Sequence, residues 1–349
     1  MRTMRAVLLT GHGGLDRLQL REDVPIPDPQ GDEVLIRIGA AAVNNTDINT
    51  RIGWYSKSAS GSTESTAVTD GCDDGSWTGA LSFPRIQGTD ACGRIVAVGS
   101  AVPPTRIGER VLVDPVLRPA NASAGYFASE CDGAFAEYTK VPSANAVRID
   151  SPLSDVELAS FPCAYSTAEN LLTRARVGSG ERVLITGASG GVGSAAVQLA
   201  RRRGAHVVAL AAADKAKTLT ELGAEVVLGR DADLAATLGA DSVDVVIDVV
   251  GGPRFPALLA VLKPRGRYAV SGAIAGPIVP LDLRTLYLKD LTLLGGTIQE
   301  PEVFGNLIGY IERGEIRPLV AATYPLAEIR AAQEAFLAKR HVGKIILVP

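Results

Sequence analysis

Apolar residues in the first 150 positions fall in short runs, and polar or turn-forming residues interrupt each run. Runs with this pattern cover residues 5–9, 33–42, 93–98 and 110–113. Clusters of proline and aspartate, such as residues 24–29, separate them. Short β segments with turn residues between them predict an antiparallel, partly barrel-like β domain.

The pattern changes after residue 180, where runs rich in Val, Ile and Leu alternate with segments of helical apolar spacing. The runs show little alternation of apolar and polar residues, so we expect strands that are covered on both faces. This order predicts an α/β fold in which helices flank a parallel, doubly wound sheet. The predicted strands are 182–186, 206–210, 225–228, 243–250, 266–271 and 291–294, and the predicted helices are 191–203, 214–222 and 253–262.

Two other segments need separate interpretation. Residues 56–81 are dense in Ser, Gly, Thr and Asp with almost no periodicity, which predicts an inserted surface loop. Residues 317–349 contain a strand-like piece, a helix predicted over 326–338 and a terminal strand predicted over 344–348. The terminal strand either extends the parallel sheet or returns to the first domain, and composition alone does not decide between the two.

Composition and charge narrow the class of protein. The chain has 349 residues, enough for two domains with proper cores, and its formal net charge is −3. This charge provides no global positive field for nucleic acid or an anionic membrane, and no apolar run is long enough to cross a bilayer. Four widely spaced cysteines support neither a disulfide framework nor a local zinc site. We therefore expect a soluble protein of the reducing cytoplasm.

The clearest candidate chemistry is a glycine-rich turn between a predicted buried strand and a predicted helix. Gly190 lets the backbone approach a pyrophosphate, Gly193 lets the helix pack on the strand, and the helix N-terminus supplies free N–H groups. The surrounding strands and helix have the spacing of a dinucleotide-binding unit, although Ala188 replaces the first glycine of the common motif. A tight turn without a ligand is the alternative. The predicted cofactor contacts are Gly187, Ser189, Gly190, Gly191, Val192 and Gly193.

The end of the next strand bears on which cofactor is used. An NAD enzyme usually carries an acid there to hold the ribose 2′-hydroxyl, whereas this chain has Leu210 and Ala211. Lys215 follows shortly afterwards, where its ammonium could meet a 2′-phosphate. The pattern therefore favours NADPH over NADH. In the alternative interpretation Lys215 belongs to a solvated helix face beside Lys217, and Asp214 caps that helix.

Several segments together resemble the medium-chain dehydrogenase/reductase superfamily, in particular its zinc-independent quinone oxidoreductase and enoyl reductase branch. The glycine-rich turn is one of them, and the others are residues 88–99, 108–111, 132–138 and 341–347. The resemblance covers nearly the whole chain. It implies a GroES-like catalytic domain of residues 1–150 and 318–349, a Rossmann domain of residues 151–317, and a homodimer joined through the strand 291–294. It also implies cofactor contacts at Thr167, Val250, Ser271, Gly272 and Lys344.

The same resemblance allows the zinc positions to be compared one by one. Zinc-dependent relatives carry a Cys and a His where this chain has Asn44 and Thr89. Only Asp90 and Cys163 match ligand positions, and the interpretation of Cys163 as a small core residue outweighs a role as a ligand. Amide and hydroxyl oxygens are poor substitutes for Cys and His as zinc ligands. We therefore expect no bound metal.

Residues 44–55 are similar to a segment of the metal-free branch in which a tyrosine is the presumed proton donor, and Tyr55 matches it. A phenol with an ordinary pKa near 10 is protonated at pH 7 and can serve as a general acid. The alternative is that Tyr55 packs beside Trp54 as a wall of the substrate site. Asn44 and Asp47 add polar groups to the same region. The resemblance implies NADPH-dependent, metal-free reduction of an activated C=C bond in a small molecule: a quinone, an enone or enal, or an enoyl thioester.

Two rival functions stay open at this point. One is a biosynthetic reductase or cyclase acting on an imine or carbonyl, which could use the polar groups of Asn44, Asp47 and Asp90. The other is a non-catalytic NADPH-binding protein, which would keep the glycines but lack a proton-donating side chain. The presence of Tyr55 argues against the second rival, and fold alone does not decide between them.

Overall fold

A computed structural model of the chain describes residues 2–65, 74–76, 79, 81–119 and 123–349. Part of the predicted 56–81 loop, including Cys72, therefore lies outside the described residues. Apart from those gaps, the chain divides into two compact units. Unit 1 comprises Met1–Ala59, Ala67–Cys163 and Ile311–Pro349, and unit 2 comprises Ser60–Thr66 and Ala164–Tyr310. The boundaries expected from the sequence were 150/151 and 317/318.

Unit 1 is built mainly of short strands. The elements up to the end of its second segment are β1 (Thr3–Leu9), β2 (Leu18–Pro25), β3 (Glu33–Ala42), α1 (Asn45–Ile52), β4 (Arg85–Ile86), β5 (Asp90–Val98), β6 (Arg110–Val113), β7 (Val116–Leu117), β8 (Gly125–Tyr126), β9 (Tyr138–Pro142), β10 (Ala146–Arg148), α2 (Asp155–Leu158) and α3 (Pro162–Arg174), the last of which continues into unit 2.

Unit 2 alternates strands with helices. Its elements, ending with a helix that continues into unit 1, are β11 (Arg182–Ile185), α4 (Gly191–Arg202), β12 (His206–Leu210), α5 (Ala216–Leu222), β13 (Val226–Leu228), α6 (Leu234–Leu238), β14 (Val243–Asp248), α7 (Phe255–Ala260), β15 (Leu262–Val270), α8 (Leu283–Leu288), β16 (Thr292–Gly295) and α9 (Glu302–Glu312). The chain closes in unit 1 with β17 (Val320–Pro325), α10 (Ile329–Leu337) and β18 (Lys344–Val348).

The main sheet of unit 1 has the strand order β10-β6-β5-β3-β18-β17, and β9 also pairs with β3. The terminal strand β18 pairs antiparallel with β3, with Ile346 opposite Ala42 and Leu347 opposite Ala41. The C-terminal segment therefore returns to the first domain, which the apolar pattern left open. Residues from β1, β3, β5, α10 and β18 share one apolar core, because each strand directs Val, Ile, Leu or Ala side chains inward.

The sheet of unit 2 is parallel throughout its described strands, in the order β13-β12-β11-β14-β15-β16. The central strands are apolar on both faces, and Val183, Leu184, Val245 and Val246 are fully buried. This confirms the predicted α/β fold and doubly wound parallel sheet. Among the described residues, no helix is both long enough and apolar enough to span a membrane.

Candidate active site

The glycine-rich turn lies between β11 and α4 in unit 2. Gly190 is the N-cap of α4, so the first N–H groups of the helix lack partners within it. A Cβ atom at Gly193 would lie 2.2 Å from the Gly187 carbonyl oxygen, which is why only glycine lets the helix approach the turn so closely. A Cβ atom at Gly190 would lie 3.4 Å from the same oxygen, an ordinary contact. Packing does not require glycine at 190, so its missing side chain leaves room for a pyrophosphate.

The buried carboxylate of Asp248 organises the sheet edge beside this turn. It accepts hydrogen bonds from Thr186 Oγ1 at 2.5 Å, from the N–H groups of Val250 and Gly251 at 2.8 and 3.1 Å, and from the Tyr268 hydroxyl. These groups belong to or follow three adjacent strands, β11, β14 and β15. Burial and the neighbouring carboxylate raise the pKa of Tyr268, which keeps its hydroxyl a donor. The sequence interpretation missed this cluster, because its members are far apart along the chain.

Other predicted cofactor positions lie at the same edge. Ser271 donates its N–H to the Asp248 carbonyl oxygen at 3.3 Å. A Cβ atom at Gly272 would lie 2.9 Å from the Val249 carbonyl oxygen, so the loops after β14 and β15 are in close contact. Side chains of Val249 and Val250 stand 3.0 Å from where a Gly187 Cβ would be. Thr167 lies in α3.

Lys215 lies just beyond β12, which ends without an acidic residue. Leu210 and Ala211 are buried at this strand end. The Lys215 Nζ atom lies 3.0 Å from Asp214 Oδ2, and the Lys215 side chain is 13% exposed while that of Asp214 is 67% exposed. The ammonium is therefore held near the strand end at which a ribose 2′-phosphate was expected.

In unit 1, the N-terminus of α1 presents the predicted catalytic residues. Asn44 is the N-cap, and Asn44 and Asp47 form a capping box. The Asp47 carboxylate accepts the Asn44 N–H at 2.8 Å and the Gly88 N–H at 3.2 Å. Gln87 donates its side-chain amide to the Asp47 carbonyl oxygen at 2.9 Å. Asp47 therefore ties the start of α1 to the segment that precedes β5.

Burial also changes the acid–base behaviour of Asp47. Removal from water raises its pKa from 3.8 to about 7, against the opposing influence of the Asn44 N–H and of the Lys344 ammonium. The side chain is 2% exposed. Because both oxygens accept backbone N–H groups, the structure supports a positioning role for Asp47 more directly than contact with substrate.

Lys344 occupies the centre of a buried polar cluster. Its ammonium lies 2.8 Å from Asp90 Oδ2 and 3.0 Å from the Val43 carbonyl oxygen, and it also donates to Asn44 Oδ1. An ammonium has three donors, and these three acceptors use them all. Lys344 is also a predicted cofactor contact, and in this structure the pairing of β18 with β3 places its ammonium beside Asn44 in unit 1.

Asp90 and Cys163 complete the cluster. Asp90 is fully buried, accepts the Cys163 N–H at 2.6 Å on one oxygen and accepts the Asn44 side-chain amide at 2.8 Å on the other. Burial raises the pKa of the Cys163 thiol to about 12, and the nearby Asp90 carboxylate adds to the shift. The Tyr126 hydroxyl lies 3.7 Å from the Cys163 sulfur. Tyr126 was not singled out from the sequence, which has no local motif around it.

Tyr55 follows the C-terminal end of α1. Its hydroxyl donates to Thr46 Oγ1 at 3.2 Å, and its ring meets the Trp54 ring edge to face with centroids 5.7 Å apart. Burial raises the pKa of Tyr55, while hydrogen bonds with Thr46 and Asn49 act in the opposite direction. The phenol therefore keeps its proton at neutral pH, as a general acid must.

Comparisons with known proteins identify the family. The alcohol dehydrogenase GroES-like domain model matches residues 30–151, and the zinc-binding dehydrogenase model matches residues 191–313. A solved structure of a provisionally assigned alcohol dehydrogenase from Sinorhizobium meliloti 1021 is 46% identical and has a TM-score of 0.90, covering 100% of this chain and 97% of that one. The chain belongs to the medium-chain dehydrogenase/reductase superfamily.

Within this superfamily the chain falls in the quinone and enoyl reductase branch, as its motifs predicted. It is 29% identical to the acryloyl-coenzyme A reductase of Metallosphaera sedula, over 99% of both chains. It is 28% identical to the quinone oxidoreductase of Lama guanicoe, over 99% of this chain and 98% of the other. The chain is therefore an oxidoreductase of a family that binds a nicotinamide cofactor.

The buried cluster of unit 1 does not fit a zinc ion. Asn44 and Thr89 replace two strong ligands, and the Lys344 ammonium already lies against Asp90 and Asn44. No group of three or more His, Cys, Asp or Glu side chains suited to a metal occurs within the described part of the chain. The family model whose name refers to zinc matches residues 191–313, which include none of these positions.

Proposed function

We propose that this chain is an NADPH-dependent, metal-free reductase of activated C=C bonds in small molecules. The observation that carries the proposal is that the Lys344 ammonium already interacts with three oxygen acceptors, which belong to Val43, Asn44 and Asp90. A metal-dependent relative polarises a carbonyl with its metal. Lys344 is held away from this task by its three acceptors, and the residues around it do not suit a metal. Hydride addition to the β-carbon of a quinone, enone, enal or enoyl thioester does not need a metal, because the conjugated carbonyl already draws electron density from that carbon.

The names of the relatives support the same substrate class. The Metallosphaera sedula relative is called an acryloyl-coenzyme A reductase, and the Lama guanicoe relative a quinone oxidoreductase. Both names describe acceptors in which a C=C bond is conjugated to a carbonyl. We extend this acceptor class to the present chain.

The residues of unit 2 have the properties needed to bind the cofactor. The backbone from Gly187 to Gly193 and the N-terminus of α4 would hold the pyrophosphate. The loop that Asp248 organises would hold the nicotinamide half through Val250, Ser271 and Gly272, with Thr167 as a further contact. Lys215 would pair with the 2′-phosphate, which is the basis for NADPH rather than NADH. Bound NADPH supplies a hydride.

Tyr55 is our proposed proton donor. After hydride addition to the β-carbon of a conjugated substrate, negative charge develops on the α-carbon and carbonyl oxygen. The Tyr55 hydroxyl, protonated at neutral pH, donates its proton to this centre, and Thr46 orients it. Asn44 and Asp47 fix the start of the helix that Tyr55 follows.

The test is a substrate screen followed by the loss of NADPH absorbance. A quinone, a conjugated enone and an enoyl thioester should be reduced, while a saturated ketone and a cyclic imine should not. A chelator should leave the rates unchanged. Turnover of the ketone or imine alone would favour the carbonyl or imine reductase, and cofactor binding without turnover of any acceptor would favour the non-catalytic binding protein.

We also propose a homodimer formed through the edge strand β16. Leu293 on this strand is 37% exposed, and an unprotected apolar edge favours pairing with a second copy. Nearby segments of unit 2 expose large apolar side chains, which would otherwise lie in water. These are Ile278, Leu281, Leu283, Tyr287 and Leu288.

The cytoplasm is the proposed compartment. The described cysteines Cys92, Cys131 and Cys163 are thiols, as in proteins of a reducing environment. Burial raises the pKa of the Cys131 thiol to about 11, which lowers its reactivity.

A further inference from the structure

Lys344 is an unusual residue for its position. It opens the buried strand β18, and its side chain is 3% exposed. Lysine is among the residues most rarely buried, because desolvation of an ammonium is unfavourable unless oxygen ligands replace the lost water. A buried lysine at this point therefore requires a built environment for a cation.

The surroundings of the ammonium form such an environment. One carboxylate, one side-chain amide and one backbone carbonyl direct oxygen atoms at the Lys344 nitrogen: Asp90 Oδ2, Asn44 Oδ1 and the Val43 oxygen. These acceptors are fixed in turn, because Asp90 also binds the Cys163 N–H and the Asn44 amide. The ammonium therefore sits among rigid oxygen atoms, like a bound cation.

The residues around this nitrogen are also the positions compared above with zinc ligands. Asn44 stands at the first ligand position, and Asp90 and Cys163 match two others. In the folded chain Asn44 and Asp90 contact the Lys344 ammonium, and Cys163 donates its N–H to Asp90. A positive charge supplied by the chain itself therefore lies against two of these positions.

We propose that Lys344 is a resident cation that occupies the place of a metal and excludes divalent cations from this site. The inference rests on the metal-free part of the proposed function and goes beyond it. Loss of two ligands alone predicts that restoring them restores metal binding. If the Lys344 ammonium excludes the metal, restoring the two ligands should not restore metal binding. A divalent ion would then face a fixed charge of the same sign within a few ångströms.

The experiment is a titration with Co²⁺, whose visible absorption reports tetrahedral thiolate and imidazole coordination. Four proteins are compared: the wild type, Asn44→Cys/Thr89→His, the same pair combined with Lys344→Met, and Lys344→Met alone. The triple variant should bind about one equivalent, at least about 100-fold more tightly than Asn44→Cys/Thr89→His, since a like charge is removed from a buried site. The wild type and Lys344→Met should show no such bands.

Removal of Lys344 leaves Asp90 unpaired, so a second design protects the fold. Adding Asp90→Asn to the triple variant removes both buried charges, and the thiolate and imidazole introduced at positions 44 and 89 remain as ligands together with Cys163. Circular dichroism and thermal unfolding check each protein before titration. The triple variant with Asp90→Asn added should bind Co²⁺ as tightly as the triple variant itself.

The outcomes separate this inference from the proposed function. Equal Co²⁺ affinity with and without Lys344 in the ligand-restored proteins would overturn the inference and leave the metal-free proposal intact. Absence of binding in both Lys344→Met designs, once folded, would also overturn it. Stoichiometric Co²⁺ binding by the wild type would overturn the metal-free proposal itself.

Discussion

The Lys344 ammonium lies 2.8 Å from the Asp90 carboxylate, and both side chains are almost completely buried. The two residues are separated by most of the sequence, and they meet because β18 pairs with β3. This ion pair joins the C-terminal segment to the start of β5. It therefore contributes both to the stability of unit 1 and to the chemistry of the candidate site.

Breaking this pair should destabilise the protein strongly. Lys344→Met leaves Asp90 as an unpaired buried charge, which typically costs about 3–5 kcal/mol of unfolding free energy. Adding Asp90→Asn should recover much of the loss. Lys140→Met is the control, because its pair with Glu33 is partly exposed and should be worth less than about 1 kcal/mol. Urea unfolding measures all four proteins, and equal losses for Lys344→Met and the control would contradict the account.

Asp47 should make stability fall as pH rises across the weakly acidic range. Its pKa is near 4 in the unfolded chain and about 7 in the folded one, so the folded state binds the extra proton between these values. This contribution is fully present below about pH 4 and is lost as pH rises through about 7. The decline in unfolding free energy between about pH 5 and 7 should be shallower in Asp47→Asn.

The control for this pH dependence is Asp282→Asn. The neighbouring Arg284 holds the pKa of Asp282 below its ordinary value, so this carboxyl does not titrate in the same range. In Asp282→Asn the unfolding free energy should therefore fall with pH as steeply as in the wild type. If it also falls as steeply in Asp47→Asn, Asp47 does not carry the raised pKa.

Lys215→Ala should weaken NADPH binding and leave NADH binding nearly unchanged. A charge-assisted contact with the 2′-phosphate is worth about 1.5–3 kcal/mol, or roughly 10- to 150-fold in Kd. Lys217→Ala, on the exposed side of α5, is the matched control. Calorimetric titration of each protein with both cofactors gives the comparison. A wild type that binds NADH as tightly as NADPH would remove the basis for the predicted preference.

Leu283→Lys/Leu288→Lys should convert the proposed dimer to a monomer. These side chains are 63% and 73% exposed in the single chain, and burying two added charges at an interface is unfavourable. Ile107→Lys changes a 51% exposed residue of unit 1 and should leave the dimer intact. Light scattering at micromolar concentration decides, and a monomeric wild type would contradict the proposal.

Most of the fold could be predicted from local sequence patterns. The strand predicted over 206–210 has these bounds in the structure, and the helix predicted over 191–203 ends one residue earlier. Uniformly apolar runs identify buried parallel strands because both faces of such strands are covered. The glycine at 193 could also be explained in advance, since close packing of helix on turn is a local requirement.

The candidate catalytic cluster depends on long-range register, which local patterns do not specify. Lys344 begins an apolar strand, and nothing near it in sequence indicates that its partners are Asn44 and Asp90. Asp248 likewise meets Thr186 and Tyr268 only because three strands are adjacent. Resemblance to a family supplied candidate residues, but the partners of each side chain required the fold.

The role of Tyr55 is the central claim about mechanism. General acid catalysis typically contributes about 10²- to 10⁴-fold, and Tyr55→Phe removes the hydroxyl while keeping the ring. Tyr324→Phe, which removes a hydroxyl from β17, is the control. The cofactor Kd should be unchanged in both variants, because the proposed cofactor residues belong to unit 2.

The most direct test is the kcat of Tyr55→Phe with a conjugated enone and NADPH, measured on chelator-treated protein beside the wild type and Tyr324→Phe. The account predicts that the wild type and Tyr324→Phe retain full activity after chelation, while kcat of Tyr55→Phe falls by about 10²- to 10⁴-fold. An unchanged kcat in Tyr55→Phe, with product of unchanged α-carbon configuration in D₂O, would contradict it.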